Sequence, residues 1–177
     1  KSLKGESIML TMHVFLVGMA GGGKTSLGKK LASNLKLPYV DTDVKVSEMM
    51  GMSEKEIYKN LGEAFFRSAE TGVLMSLASE PPSIVSTGGG LPTIKENVML
   101  MQNQGIIVHI DRPLDQILSD IKTDRRPHLE NAGIDDVIDL YNRTIGYYKA
   151  CADYTLDNSF GFALGAANLT RLVKSLY

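Results

Sequence analysis

The segment Gly18-Met19-Ala20-Gly21-Gly22-Gly23-Lys24-Thr25 fits the pattern G-x-x-x-x-G-K-S/T. A chain of this type holds a nucleoside triphosphate with its backbone. Successive N–H groups and the amino end of the following helix face the phosphates, and side chains would obstruct that wrapping, so glycine recurs. The expected binding set is Gly21, Gly22, Gly23, Lys24, Thr25 and Ser26. Lys24 would reach the β- and γ-phosphates, and the Thr25 hydroxyl would help hold Mg2+.

Asp41-Thr42-Asp43 could supply the acceptor side of a phosphoryl transfer. One carboxylate there can orient an attacking hydroxyl or take its proton, and a second can hold magnesium through water. The competing role is capping, with Thr42 or Asp43 placed ahead of a helix that starts near Val44. Further on, Gly62-Glu63-Ala64-Phe65-Phe66-Arg67 is followed by Glu70. Glu63, Arg67 and Glu70 share one helix face. They form either a surface ladder worth about 0.2–0.5 kcal/mol per pair or an Arg67 that Glu70 orients toward a substrate carboxylate. Ser86-Thr87-Gly88-Gly89-Gly90 carries three consecutive glycines, costly in chain entropy and sensible where backbone must approach a ligand closely. No Asp ends that strand, which makes Asp41 the magnesium-side carboxylate.

These groups need elements to hold them. His13 to Val17 is short, apolar and β-branched, as a strand buried on both faces should be. Leu27, Leu31 and Leu35 stripe a helix over Thr25–Leu35. Further strands are predicted at Pro38–Val40, Ser83–Ser86, Ile106–Ile110 and Tyr154–Leu156. Helices are predicted at Val44–Met50, Glu54–Leu61, about Glu63–Ala78, ahead of Ile106, from Pro113 toward Ile121, at Ile134–Ala152 and at Leu164–Leu176. Strands alternating with helices predict an α/β fold: three layers, with a five-stranded parallel sheet, helices on both faces and a short lid. The ligand site then belongs at the carboxyl ends of the strands, where the three candidate segments lie.

The bulk composition agrees. The 177 residues suit one domain, expected over 8–177, with 1–7 as a tag remnant or frayed end. Hydrophobic residues make up 44%, enough for a core, and the net charge of −1 gives no general attraction to nucleic acid or membrane. An anionic substrate must therefore meet a local cluster of Lys and Arg. The lone Cys151 permits no internal disulfide, suits a reducing cytoplasm and reads as packing. His13 and His109 lie in apolar strands and read as core. The size and balanced charge lead us to expect a monomer.

A phosphate loop, D-T-D, G-E-x-x-F-R-x-x-E and T-G-G-G in this order resemble the shikimate kinase family, from about Val14 to Asp153. The resemblance implies a phosphate-loop kinase fold and an ATP- and Mg2+-dependent transfer to the 3-hydroxyl of shikimate, in chorismate and aromatic amino acid biosynthesis. It places the base on Asp43, the carboxylate ligand on Arg67 and contacts to the substrate ring on Gly88, Gly89 and Gly90. It also implies a lid, here about 122–133, whose Arg126 before Pro127 crosses to the transferring phosphate. Lys24, Asp43 and Arg126 then form the catalytic set. Lys122 or Arg125 would serve an earlier lid position, and the adenine loop would fall near Asp157-Asn158-Ser159. A further Arg in the last long-helix segment grips the carboxylate in the family, which points to Arg143. Here that segment lacks the family's proline and carries two tyrosines, so the family tyrosine aligns with Tyr147 or, one residue along, with Tyr148. The rival readings are another small-molecule kinase, such as a gluconate or nucleoside monophosphate kinase, and a nucleotide-binding paralogue without catalysis.

Overall fold

The computed structural model describes residues 10–122 and 133–177; Arg125, Arg126, most of the expected lid and the amino-terminal residues lie outside the described residues. In chain order the elements are β1 (His13–Val17), α1 (Lys24–Leu35), β2 (Tyr39–Asp41), α2 (Thr42–Met50), α3 (Glu54–Leu61), α4 (Glu63–Leu77) and β3 (Ile84–Ser86). A 3-10 turn (Leu91–Thr93) leads to α5 (Lys95–Gln104), β4 (Gly105–Asp111), α6 (Leu114–Lys122), α7 (Ile134–Cys151), β5 (Tyr154–Asp157) and α8 (Phe162–Lys174).

The five strands lie in the order β2-β3-β1-β4-β5, and every pairing is parallel. Alternation along β1 sends Val14 and Leu16 to one face and Phe15 and Val17 to the other. On the first face they meet Leu27 and Leu31 of α1 and Leu169 and Val173 of α8. On the second they meet Leu74 and Leu77 of α4, Met101 of α5 and Tyr148 of α7. A smaller cluster of Val46, Ile57, Phe66 and Val73 binds α2 and α3 to α4 beside the sheet. From β1 the chain leaves toward β2, and from β3 it crosses the other way to β4. The crevice between β1 and β3 is therefore the switch point, and both glycine segments open onto it.

The second helix departs from expectation at its start. It begins at Thr42, and Asp41 rather than Thr42 or Asp43 is the cap: its Oδ1 accepts from the N–H of Asp43 at 3.0 Å and of Val44 at 3.2 Å. A β-region Asp directly before a helix satisfies two amino-terminal donors, which pulls the first turn back against the strand end. His13 and His109 are buried in β1 and β4; His13 Nε2 donates to Leu77 O while its Nδ1 accepts from Ser83 N. Burial pushes the Cys151 thiol up to about 11, as befits a packing residue.

Where α1 crosses the sheet it does so at Gly28. A Cβ there would stand 2.7 Å from Ser86 Oγ and 2.8 Å from the Tyr39 ring. Ser86 cannot withdraw freely, because its Oγ donates to Lys24 O at 2.9 Å. Alanine would improve helix propensity by about 1 kcal/mol, but overpacking of this kind costs about 1–3 kcal/mol. Gly28→Ala is expected to lower the thermal midpoint by about 2–4 °C, read by circular dichroism, on a net loss near 1 kcal/mol.

Candidate active site

The phosphate loop runs from β1 into α1 without a side-chain cap. Gly23 occupies the cap position at φ +102°, a conformation that leaves the first N–H groups of α1 facing outward. Long-range bonds hold the loop: besides Ser86 at Lys24 O, Asn158 Nδ2 donates to Gly22 O at 2.8 Å, and Arg112 Nη1 donates to Gly21 O at 3.0 Å. Arg112 is itself fixed by Asp120 at 2.6 Å. Lys24 is buried, with its Nζ donating to Gly18 O at 2.5 Å and Met19 O at 3.1 Å. The ammonium thus lies over the loop it is expected to serve.

The end of β2 is tied to the end of β3. Thr42 Oγ1 accepts from Gly88 N at 3.0 Å, so the middle residue of Asp-Thr-Asp clamps the glycine run. Ser86 and Thr87 serve the frame as well, Thr87 Oγ1 donating to Leu16 O at 3.0 Å. The glycines are small for a reason that sequence reasoning did not anticipate. A Cβ on Gly88 would meet Asp43 Oδ1 at 2.5 Å and Glu70 Oε2 at 2.7 Å, and one on Gly90 would strike the Arg67 guanidinium. The run makes room for Asp43, Glu70 and Arg67 to lie across the backbone.

Arg67 Nη1 donates to Glu70 Oε1 at 2.6 Å, and Glu63 stands 3.8 Å away on the other side. Glu70 has no exposed side-chain surface and its Oε2 has no partner. This is no surface ladder. A planar guanidinium held from below by a buried carboxylate keeps its remaining donors for the cavity.

The cavity above these groups measures about 700 Å³ and is lined by Lys24, Thr25, Asp41, Asp43, Arg67 and Gly90, among others. Burial pushes Asp43 above the usual carboxylate range, and Asp41 adds to this, against Lys24 and Arg67. Burial likewise carries Glu70 up to about 7 despite Arg67, with Asp43 and Glu54 contributing. The site gathers carboxylates around two cations and sits at the mouth of the phosphate loop. Chemically it can hold an anionic triphosphate at one end and a hydroxylated, carboxylate-bearing acceptor at the other.

Arg143 does not join them. It is exposed on α7, whose buried face carries Thr144, Tyr148 and Cys151. One residue turns a helix by about 100°, and the inward register belongs to Thr144 and Tyr148. Tyr148, buried to 1% exposure, donates its hydroxyl to Gly89 O at 2.6 Å and lines the cavity, whereas Tyr147 is exposed. Arg126 lies outside the described residues. Within the expected adenine loop, Asn158 is buried and turned inward to the phosphate loop. Sequence reasoning also passed over Arg112 and Glu54, and weighed Thr42 as a helix cap where it proves to be a clamp. Arg112 follows a strand end and Thr42 sits inside the motif, so both had a positional signal; Glu54 reads only as the first residue of a helix.

The family model described as shikimate kinase matches residues 20–163. The chain is 34% identical over 145 residues to a shikimate kinase of Clostridium beijerinckii, covering 82% of this chain and 85% of that protein. A shikimate kinase of Caldicellulosiruptor bescii is 36% identical over 141 residues, covering 78% of this chain and 82% of that one. Among solved structures, shikimate kinase from Acinetobacter baumannii in complex with shikimate superposes with a TM-score of 0.81 at 28% identity, over 96% of this chain and 93% of that one. Shikimate kinase from Bacteroides thetaiotaomicron gives a TM-score of 0.81 at 26% identity, over 93% and 97%.

Proposed function

The chain belongs to the shikimate kinase family and is an ATP-dependent kinase, and from that premise we propose how its own residues transfer the γ-phosphoryl group to the 3-hydroxyl of shikimate. The observation that carries the proposal is the convergence of Asp43, Arg67, Gly89 and Gly90 on the mouth of the phosphate loop, in one cavity.

Backbone N–H groups of Gly21, Gly22 and Gly23, with Ser26 in the first turn of α1, receive the ATP phosphates. Lys24 exchanges its two loop carbonyls for β- and γ-phosphate oxygens. Thr25 and Asp41 fit the magnesium side: both line the cavity, and the two cap bonds of Asp41 fall on its Oδ1. Such a sparse set suits Mg2+, which keeps its waters and binds largely through phosphate. When bound, the ion would neutralise charge on the transferring phosphoryl oxygens. Shikimate lies across Gly88, Gly89 and Gly90 with its carboxylate on Arg67. Asp43 aligns the acceptor hydroxyl and takes its proton. Arg126, on the strength of the resemblance, is the group expected to reach the γ-phosphate as the lid closes and excludes water.

No helix among the described residues is long and apolar enough to cross a membrane. A monomer acting in the cytoplasm completes the proposal.

The test is a coupled ADP-release assay with ATP and Mg2+, offering shikimate, gluconate or AMP. Turnover is expected with shikimate alone. Turnover only with gluconate or AMP would discard the acceptor, and silence with all three would favour a nucleotide-binding protein without catalysis.

A further inference from the structure

Glu54 opens α3, yet the cap of that helix is complete without it. Ser53 Oγ accepts from Glu56 N at 3.2 Å, and Glu56 Oε2 accepts from Ser53 N at 3.1 Å. Glu54 makes no hydrogen bond or ion pair among the described residues. The residue is exposed overall, but it lines the acceptor cavity together with Asp43, Arg67 and Gly90. It also lines, again with Asp43, an adjoining depression of about 490 Å³ between α2 and the start of α3. Glu54 and Asp43 therefore stand together where the two spaces meet.

The electrostatics agree with this placement. Burial pushes Glu54 up to about 7, with Asp43 and Asp41 adding to this as like charges and Arg67 opposing it. Within the fold nothing is gained by aiming a second carboxylate at Asp43. A ligand that brings hydroxyl donors changes that balance, because each carboxylate oxygen can accept from one of them.

We propose that Glu54 is a specificity residue for the acceptor, its carboxylate accepting a hydrogen bond from the non-reacting ring hydroxyl adjacent to the one that Asp43 holds. The inference rests on shikimate as acceptor, for which the neighbouring group is the 4-hydroxyl. A site built to bind a hydroxyl discriminates strongly against the analogue that lacks it, since its own polar group is then left without a partner. The alternative is that Glu54 serves only the amino-terminal dipole of α3. That role would cost a little stability on mutation and leave acceptor binding untouched.

The experiment compares steady-state kinetics of the full chain and its Glu54→Ala and Glu54→Gln variants, with shikimate and with 4-deoxyshikimate. Glu54→Ala is expected to raise the shikimate KM about tenfold to a hundredfold, the range for a hydrogen bond to a charged group, and to leave the ATP KM unchanged. Glu54→Gln keeps an acceptor oxygen and should fall between the two. With 4-deoxyshikimate the parent chain and Glu54→Ala should have the same KM. Equal losses with both acceptors, an unmoved shikimate KM, or a parallel rise in ATP KM would overturn the inference. No turnover of shikimate by the parent chain would instead overturn the acceptor assignment on which it rests.

Discussion

Replacing Asp43 by Asn is expected to lower shikimate-dependent turnover by about 10²- to 10⁴-fold, the usual worth of a positioned general base, with the ATP KM almost unchanged. Asparagine matches the shape of the side chain and can still orient a hydroxyl, but it cannot take the proton. The phosphate loop proposed to hold ATP is a separate segment of the cavity lining, so nucleotide affinity has no reason to follow. Stability separates this result from simple damage. Asp43 has its pKa raised in the folded protein, first by burial and then by Asp41. A carboxyl raised in this way lends stability below its unfolded pKa and loses it as pH rises through the folded value. Once ionised, the side chain therefore weakens the fold, and above the folded pKa Asp43→Asn should melt no lower than the parent. A variant crippled in turnover but undiminished in thermal midpoint is the signature of a group kept for chemistry. The parent enzyme should also lose kcat/KM on the acid side, with a midpoint above the ordinary carboxylate range. Equal loss of turnover and ATP affinity would remove Asp43 from the base position.

Arg67→Ala carries the second large effect, and it acts twice. Loss of a bidentate carboxylate ligand should raise the shikimate KM by about 10²-fold, in line with a charge-assisted pair worth roughly 1.5–3 kcal/mol. The same change strands Glu70, which has no exposed side-chain surface and whose Oε1 is held at 2.6 Å by Arg67. Removing one partner of a fully buried pair costs about 3–5 kcal/mol. Arg67 is 25% exposed, so solvent screening reduces the expected cost to about 2 kcal/mol. The double variant Arg67→Ala/Glu70→Gln distinguishes the two effects. Its thermal midpoint should recover, since no unpaired carboxylate remains, while its shikimate KM stays high. Recovery of both, or an unchanged KM in Arg67→Ala, would mean that Arg67 is a structural ion pair and no more.

Much of the frame was legible because it is written in local patterns. The apolar run His13–Val17, the leucine stripe of α1, the strand Ser83–Ser86 and the helix Ile134–Ala152 fall within a residue or two of their observed ends. The start of α2 was less legible, because a cap is decided by one side chain's geometry. Asp41, Thr42 and Asp43 are all good cap types, and only the β conformation at Asp41 selects among them. The helix face of α7 was not legible at all. Arg143 and Thr144 differ by one position, and packing of Tyr148 under Gly89 settles which points inward.

By itself the sequence determined the nucleotide end of the site, since a strand, a glycine loop, a lysine and a helix that are contiguous in the chain form one local structure. It also determined the layered α/β architecture, through the alternation of apolar runs with helical stripes. The tertiary structure alone decided the acceptor end. Asp43, Arg67, Glu70 and Gly88 come from three separate elements and meet only because β2 pairs with β3 while α4 packs beside them. The same packing decided that the glycines shelter side chains, that Thr42 is a clamp and that Glu54 lines the cavity. Such relations depend on contacts between residues dozens of positions apart, and no local pattern encodes them.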